Sequence, residues 1–268
     1  MHPARLEDRA VLALSGPDVR PYLQGLITND VEKVGPGRAA YAALLTPQGK
    51  ILFDFIIAEG DGVLLLDCAA PAREALAKRL KLYRLRAKVE IEPRDQLGVY
   101  VDLTGRPAER GNGFADPRLE ALGPRFISAV AEMPDNVANA QSYHTERLKL
   151  GVPEGTDFGS DKIFALDAGL DELHAVSFTK GCYVGQELTA RMKHRGTARK
   201  RLLLASGNAL PPDGTLSAGG KDIGEMMASY GDTGFALVRL DRLEEAAGAT
   251  VMLNASPVAL TKPAWLSS

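Results

Sequence analysis

Lys180-Gly181-Cys182-Tyr183-Val184-Gly185-Gln186-Glu187 gathers residue types that could do chemistry. Cys182 is one of only two cysteines in the chain. Gly181 and Gly185 reach backbone angles closed to other residues, so the loop can be tight. From Gly185-Gln186-Glu187 onward the pattern predicts a helix that carries Leu188 and Met192 inward. Cys182 would then stand just ahead of a helix N-terminus, with Lys180 close by, and both features favour thiolate over thiol. That is the setting of a reactive sulfur. The alternative is a cysteine that only packs a tight turn. His174 and His194 are not placed as an obvious base, so a cysteine–histidine pair is poorly supported.

The same stretch runs into Arg191, Lys193, His194, Arg195, Arg199, Lys200 and Arg201, with no acidic residue among them. Such a run is either a solvated face or a site for carboxylates, phosphates or a nucleic-acid backbone. Arg191 suits bidentate carboxylate recognition. Gln186 and Glu187 either hydrogen-bond the loop or a ligand, or cap the helix, where an acid is favoured.

The totals narrow the classes. The chain has 268 residues, 45% hydrophobic and 25% charged, with a net charge of -2. That is ordinary for a soluble globular protein of one to three domains. No global basic excess points to nucleic acid. Two distant cysteines, Cys68 and Cys182, and four histidines cannot supply a private zinc site or iron–sulfur cluster. A reducing compartment and a cytoplasmic location are the expectation, since no secretory h-region and no membrane-length apolar run is visible.

The elements that must position the loop read as follows. Arg9–Gly16 is a strand, and Pro17–Asp30 a helix with Val19, Tyr22, Leu23 and Leu26 on one face. Asn29 and Asp30 are expected to cap the end of that helix. Three strands follow, joined at Pro47-Gln48-Gly49 and Gly60-Asp61-Gly62, with Cys68 as a small core residue in the third. A helix around Leu76, Leu80 and Tyr83 leads to strands at Val89–Ile91 and Leu97–Leu103. Thr104–Pro124 is loop with short pieces of strand, Asp135–Pro153 is helical to about Gly151, and the stretch to Thr179 is long and irregular. After Gly196 short strands and turns make a small β-rich unit. The mixed antiparallel order places the chain in the α+β class.

KGCYVGQE resembles the signature of the YgfZ family, folate-binding proteins tied to iron–sulfur cluster maturation and related to the GcvT aminomethyltransferase of glycine cleavage. YLQGLITNDV (Tyr22–Val31), LLTPQGKILFDF (Leu44–Phe55), ERLKLGVPEG (Glu146–Gly155), VSFTKGC (Val176–Cys182) and GFALVRL (Gly234–Leu240) follow in family order. The resemblance implies a GcvT/YgfZ-like arrangement of three domains around a central channel. Residues 1–40 and 140–196 would form a discontinuous first domain, residues 41–139 an inserted α+β domain, and residues 197–268 a C-terminal β-barrel. It further implies tetrahydrofolate, or another reduced folate, as cofactor. Tyr143 would stack on the pterin; Lys180, Gly181, Tyr183, Gly185, Gln186 and Glu187 would form the binding loop; Arg191 would draw in the glutamate tail. Cys182 would be the functional thiol; no metal is expected, on the count of cysteines and histidines. Partners would be folate and iron–sulfur enzymes or assembly proteins, without membrane or nucleic acid. Two departures stand out: Arg9 falls near a second aromatic position of the family, and no convincing match exists for the channel acid of GcvT enzymes, Asp102 being the nearest. The rival readings are a tetrahydrofolate-dependent aminomethyltransferase or demethylase, and an RNA-binding module using residues 191–201.

Overall fold

Apolar runs such as ILFDFIIA and VLLLDCA are too short for helices and too continuous for a sheet wetted on one side, so they become strands covered on both faces. A computed structural model describes residues 3–104, 113–133, 138–195 and 199–266. Its elements are α+β, as the order of patterns implies.

The chain folds into two compact units, each assembled from separate segments. The first comprises Met1–Leu45, Leu52–Glu146 and Leu173–Val184. It holds a five-stranded sheet in the order Ala40–Leu45, Ile51–Gly60, Val63–Ala69, Arg9–Ser15, Glu90–Pro93. Asp61 and Gly62 both take positive φ (52° and 76°), which matches the hairpin turn to the twist of the strands it joins. Gly16 ends its strand at φ +110°, where a Cβ would fall 2.2 Å from the Lys88 carbonyl oxygen, so no larger residue fits. Successive side chains alternate between faces: Leu64, Leu66 and Cys68 join the core with Leu12, Leu14, Phe55 and Leu76, while Asp67 points the other way. Helices Val19–Gln24 and Arg73–Tyr83 add Leu23, Leu76 and Leu80 to that core. A second sheet pairs Leu97–Val101 with Ala4–Arg5 and Arg125–Ala129, all antiparallel.

The second unit comprises Thr46–Ile51, Arg147–Glu172 and Gly185–Ser268. Its seven-stranded antiparallel sheet carries the core Leu203, Leu216, Ile223, Ala236, Val238 and Leu253.

Two expectations change. The first helix stops at Gln24, six residues before Asp30, because Ile27 bridges Leu44 as extended chain. Asn29 and Asp30 therefore do not cap it. Asn29 donates to the carbonyls of Tyr41 and His174, and Asp30 caps the following turn, accepting from the Glu32 amide. Arg125–Ala129 is a strand that no clear alternation in the Gly- and Pro-rich stretch before it announces. Parts of the loop from Thr104 (105–112), the start of the segment from Asp135 (134–137) and residues 196–198 of the basic run lie outside the described residues.

Candidate functional site

The KGCYVGQE motif is divided between the units: Lys180 to Val184 belong to the first, Gly185 onward to the second.

In the first unit the cysteine loop is laced to the N-terminal YLQGLITND segment. Thr28, fully buried, donates its hydroxyl to the Ala175 carbonyl at 2.6 Å and accepts from the Ala43 amide at 2.8 Å. Its own carbonyl accepts from the Ser177 amide at 2.9 Å. Asn29 Nδ2 donates to the His174 carbonyl at 2.7 Å. Lys180 completes the lacing: its Nζ donates to the Gln24 carbonyl at 2.5 Å and the Ile27 carbonyl at 2.6 Å. Lys180 thus satisfies the carbonyl of Gln24, the last helical residue, where a cation is favoured, and that of Ile27 in the extended chain beyond it. Its charge also lies 5.0 Å from the centroid of the buried Tyr183 ring. Burial pulls the Lys180 ammonium down to about 8, partly opposed by Asp30. A neutral amine keeps two N–H donors, so the tether survives that proton's loss.

Gly181 takes φ +100°, with nothing within 4 Å of where a Cβ would stand. The glycine is there for its backbone angle, not for space. Next to it Cys182 is exposed and free, whereas Cys68 is free and buried. Burial, chiefly, pushes the Cys68 thiol up to about 12. Lys180→Met should leave the two carbonyls without their donor and cost about 1–3 kcal/mol in the folding of the first unit, measured by denaturant titration. Alkylation of Cys182 should persist, because its exposure does not depend on that charge.

In the second unit the motif helix Gln186–Arg195 starts after Gly185, at φ +83°. Among the helix's described side chains Thr189 is buried, its hydroxyl donating to the Gly185 carbonyl at 3.1 Å; Leu188 and Met192 are only half-buried. The TPQGK turn packs here, a Cβ on Gly49 meeting the Gly185 oxygen and Leu188 Cβ at 3.4 Å. Gln186 is half-buried and Glu187 exposed, with Arg191 Nη2 3.6 Å from Glu187 Oε1. The family stretch ERLKLGVPEG is built around Arg147, buried, which donates to the Val152 carbonyl (2.8 Å) and Asp157 (2.6 Å).

The basic run has acids, supplied by a distant part of the sequence. Lys193 Nζ donates to Asp171 Oδ2 at 2.8 Å, and Arg201 reaches Glu172 at 3.9 Å and donates to the Leu166 carbonyl at 3.0 Å. The Asp171 and Glu172 side chains are nearly enclosed, and their carboxyls hydrogen-bond one another. Two buried carboxyls side by side hold one proton better than two charges. Burial first, then Asp171, push Glu172 up to about 7. A carboxyl raised in the fold contributes stability fully at low pH and loses it as pH rises toward 7. Glu172→Gln should therefore stabilise the protein by about 1–2 kcal/mol at pH 8 and by nothing at pH 4, as seen in denaturation midpoints across that range.

Tyr143 and Arg9 belong to a buried ionic network in the first unit that no motif announces. Asp67 accepts from Arg9 Nε (2.6 Å) and Arg125 Nη1 (2.7 Å). Arg125 Nε also donates to Asp116 (2.8 Å), which Arg118 clasps through Nε (3.0 Å) and Nη2 (2.7 Å). The Tyr143 hydroxyl accepts from both Arg118 and Arg125. Burial alone would raise Asp116, but the Arg118 and Arg125 guanidiniums outweigh it and hold its carboxyl below the usual carboxylate range. Tyr143 is fully buried, with the Arg125 guanidinium 5.0 Å from its ring centroid, so it presents no open face to a pterin. The signal for this network was a lone acid inside an apolar strand, Asp67 in VLLLDCA. Asp102 accepts from the Thr104 amide (2.8 Å) and hydroxyl (2.6 Å), and so caps a turn.

Among the described residues no helix is long and apolar enough to cross a membrane.

Residues 199–268 match the family described as CAF17, C-terminal beta-barrel domain. The chain is 36% identical to the mouse protein named iron–sulfur cluster assembly factor IBA57, mitochondrial, covering 90% of this chain and 78% of that one. It is 35% identical to the human protein of the same name, over 94% of this chain and 83% of the relative. In structure it resembles the glycine cleavage system aminomethyltransferase T of Bartonella henselae, with a TM-score of 0.76 at 14% identity, covering 98% of this chain and 86% of that one. The fold is thus that of the GcvT aminomethyltransferases with a C-terminal β-barrel domain.

Proposed function

Because this chain belongs to the IBA57 family of iron–sulfur cluster assembly factors, we propose that it supports iron–sulfur cluster assembly and does so through Cys182. The observation that carries this reading is an exposed, free thiol on a loop pinned by Lys180 and Thr28. A pinned loop presents its sulfur without first having to be ordered. A thiolate is the usual protein ligand of iron in such clusters, which take about four of them. One exposed cysteine supplies one, so the cargo is held jointly with ligands from a partner in the assembly process.

A reduced folate is the finer part of the proposal, supported by the resemblance of KGCYVGQE to the YgfZ signature, a family related to this one. Of the residues named for it, Tyr143 is enclosed, Tyr183 is buried beside Lys180, and Arg191 lies near Glu187. Folate is therefore assigned no chemical step.

Two measurements separate the halves. Cells lacking the native factor should regain iron–sulfur enzyme activity when given this chain; no recovery would remove the assembly reading. Calorimetry with tetrahydrofolate should give heat, and a hundredfold excess over the dissociation constant should add about 2.7 kcal/mol of stability. No heat and no stabilisation would remove folate and leave the cysteine reading intact.

A further inference from the structure

The helix Arg73–Tyr83 buries Leu76, Ala77 and Leu80 in the first unit's core. Its outer side and the turn that follows are a different surface. Between Arg73 and Lys88 lie seven cations, Arg73, Lys78, Arg79, Lys81, Arg84, Arg86 and Lys88, against one acid, Glu74. The whole chain has a net charge of -2, so this is a local inversion. Lys78, Lys81, Arg84, Arg86 and Lys88 are exposed. Among the described residues only Arg73 of the seven has an ion pair, with Asp95.

Two leucines stand among these charges in the open. Leu82 is 67% exposed and Leu85 88%. Leu85 also takes φ +47°, a costly angle for a residue with a Cβ. Beside Leu82 a shallow groove of about 630 Å³ is lined by three apolar residues, Phe53, Ala75 and Leu82, and three cations, Lys78, Arg79 and Lys81. Stability explains neither the clustered like charges nor the leucines held in water, since both cost free energy in the isolated protein.

We propose that this face docks an acidic, leucine-bearing segment of a partner protein. Carboxylates of the partner pair with Lys78, Lys81, Arg84 and Arg86, and an apolar side chain enters the groove beside Leu82. Charge complementarity selects the partner and speeds encounter, and the apolar contact holds it. A nucleic acid would use the charges but not the leucines, and the segment offers it a single, half-buried aromatic, Tyr83. A bilayer would need a wide apolar face, and this helix spends its apolar face on the core. The surface is independent of Cys182.

The test uses the full chain and a fluorescein-labelled peptide with Glu at most positions and Leu at every third or fourth, read by fluorescence anisotropy. The peptide should bind in the micromolar range, and its version with Ser in place of Leu should bind several-fold more weakly. The triple variant Lys78→Glu, Lys81→Glu, Arg86→Glu should lose about tenfold or more, and added salt should weaken the native protein's binding. Leu82→Ser with Leu85→Ser should weaken binding at every salt concentration. All five positions lie at the surface, so circular dichroism should show the native fold in each variant. Absence of peptide binding, equal binding by the triple variant, or equal binding of the two peptides would overturn the proposal. So would tighter binding of duplex DNA or of vesicles containing phosphatidylserine, or a self-association that the triple variant abolishes. Cys182→Ser should bind the peptide as the native chain does; loss there would move the peptide to the cysteine loop and overturn the assignment.

Discussion

Arg125→Met should destabilise the protein by about 3–5 kcal/mol, the range for removing one partner from a buried ion pair. Arg125 is wholly enclosed and shared between Asp67 and Asp116, at 2.7 and 2.8 Å. Methionine fills much of its volume but leaves both carboxylates short of a cation inside the fold. Arg9 still reaches Asp67, and Arg118 still reaches Asp116, so the loss is partial for each acid. The deficit should shrink as pH falls. Asp116 is held below the ordinary carboxylate range in the native protein, so its contribution is present above that range and is lost only as pH drops through the lowered value. Without Arg125 its carboxyl protonates earlier and the penalty is relieved. Urea titrations at pH 7 and pH 4 would show both effects; a pH 7 difference under about 1 kcal/mol would mean that the network is solvated in solution.

Cys182→Ser should abolish support of iron–sulfur enzymes in cells lacking the native factor while leaving stability within about 0.5 kcal/mol of the native chain. The side chain is exposed, and Gly181 and Lys180 hold the loop without it. Serine keeps the shape but is a poor ligand for iron. Cys68→Ser should do the reverse. It places a hydroxyl where a buried thiol now lies 3.5 Å from the Ala10 carbonyl, costing about 1–3 kcal/mol, with activity falling only as far as folding does. Alkylation of the native protein at neutral pH should label Cys182 alone, as intact-mass measurement would show. Full rescue by Cys182→Ser would leave its sulfur without a role, and unfolding of that variant would make it a packing residue.

Much of this was legible in the residue order. Alternating and continuous apolar runs foretold the strands of both units, and Gly49, Gly62, Gly151 and Gly185 marked real turns, because these signals act over a few residues. The contrast between Cys182 in a glycine loop and Cys68 in an apolar strand was also local. Sequence could not say where charges find their partners. Lys180 reads as a neighbour of Cys182, yet its ammonium binds carbonyls 156 and 153 positions away. The basic run reads as unopposed, yet Asp171 and Glu172 come to it from before the motif. Tyr143 reads as a stacking aromatic and is instead the hydroxyl bridging two arginines. Coulomb and hydrogen-bond partners are chosen by distance in space. A buried charge will take whichever group the fold brings within about 3 Å, and only the tertiary structure decides which group that is.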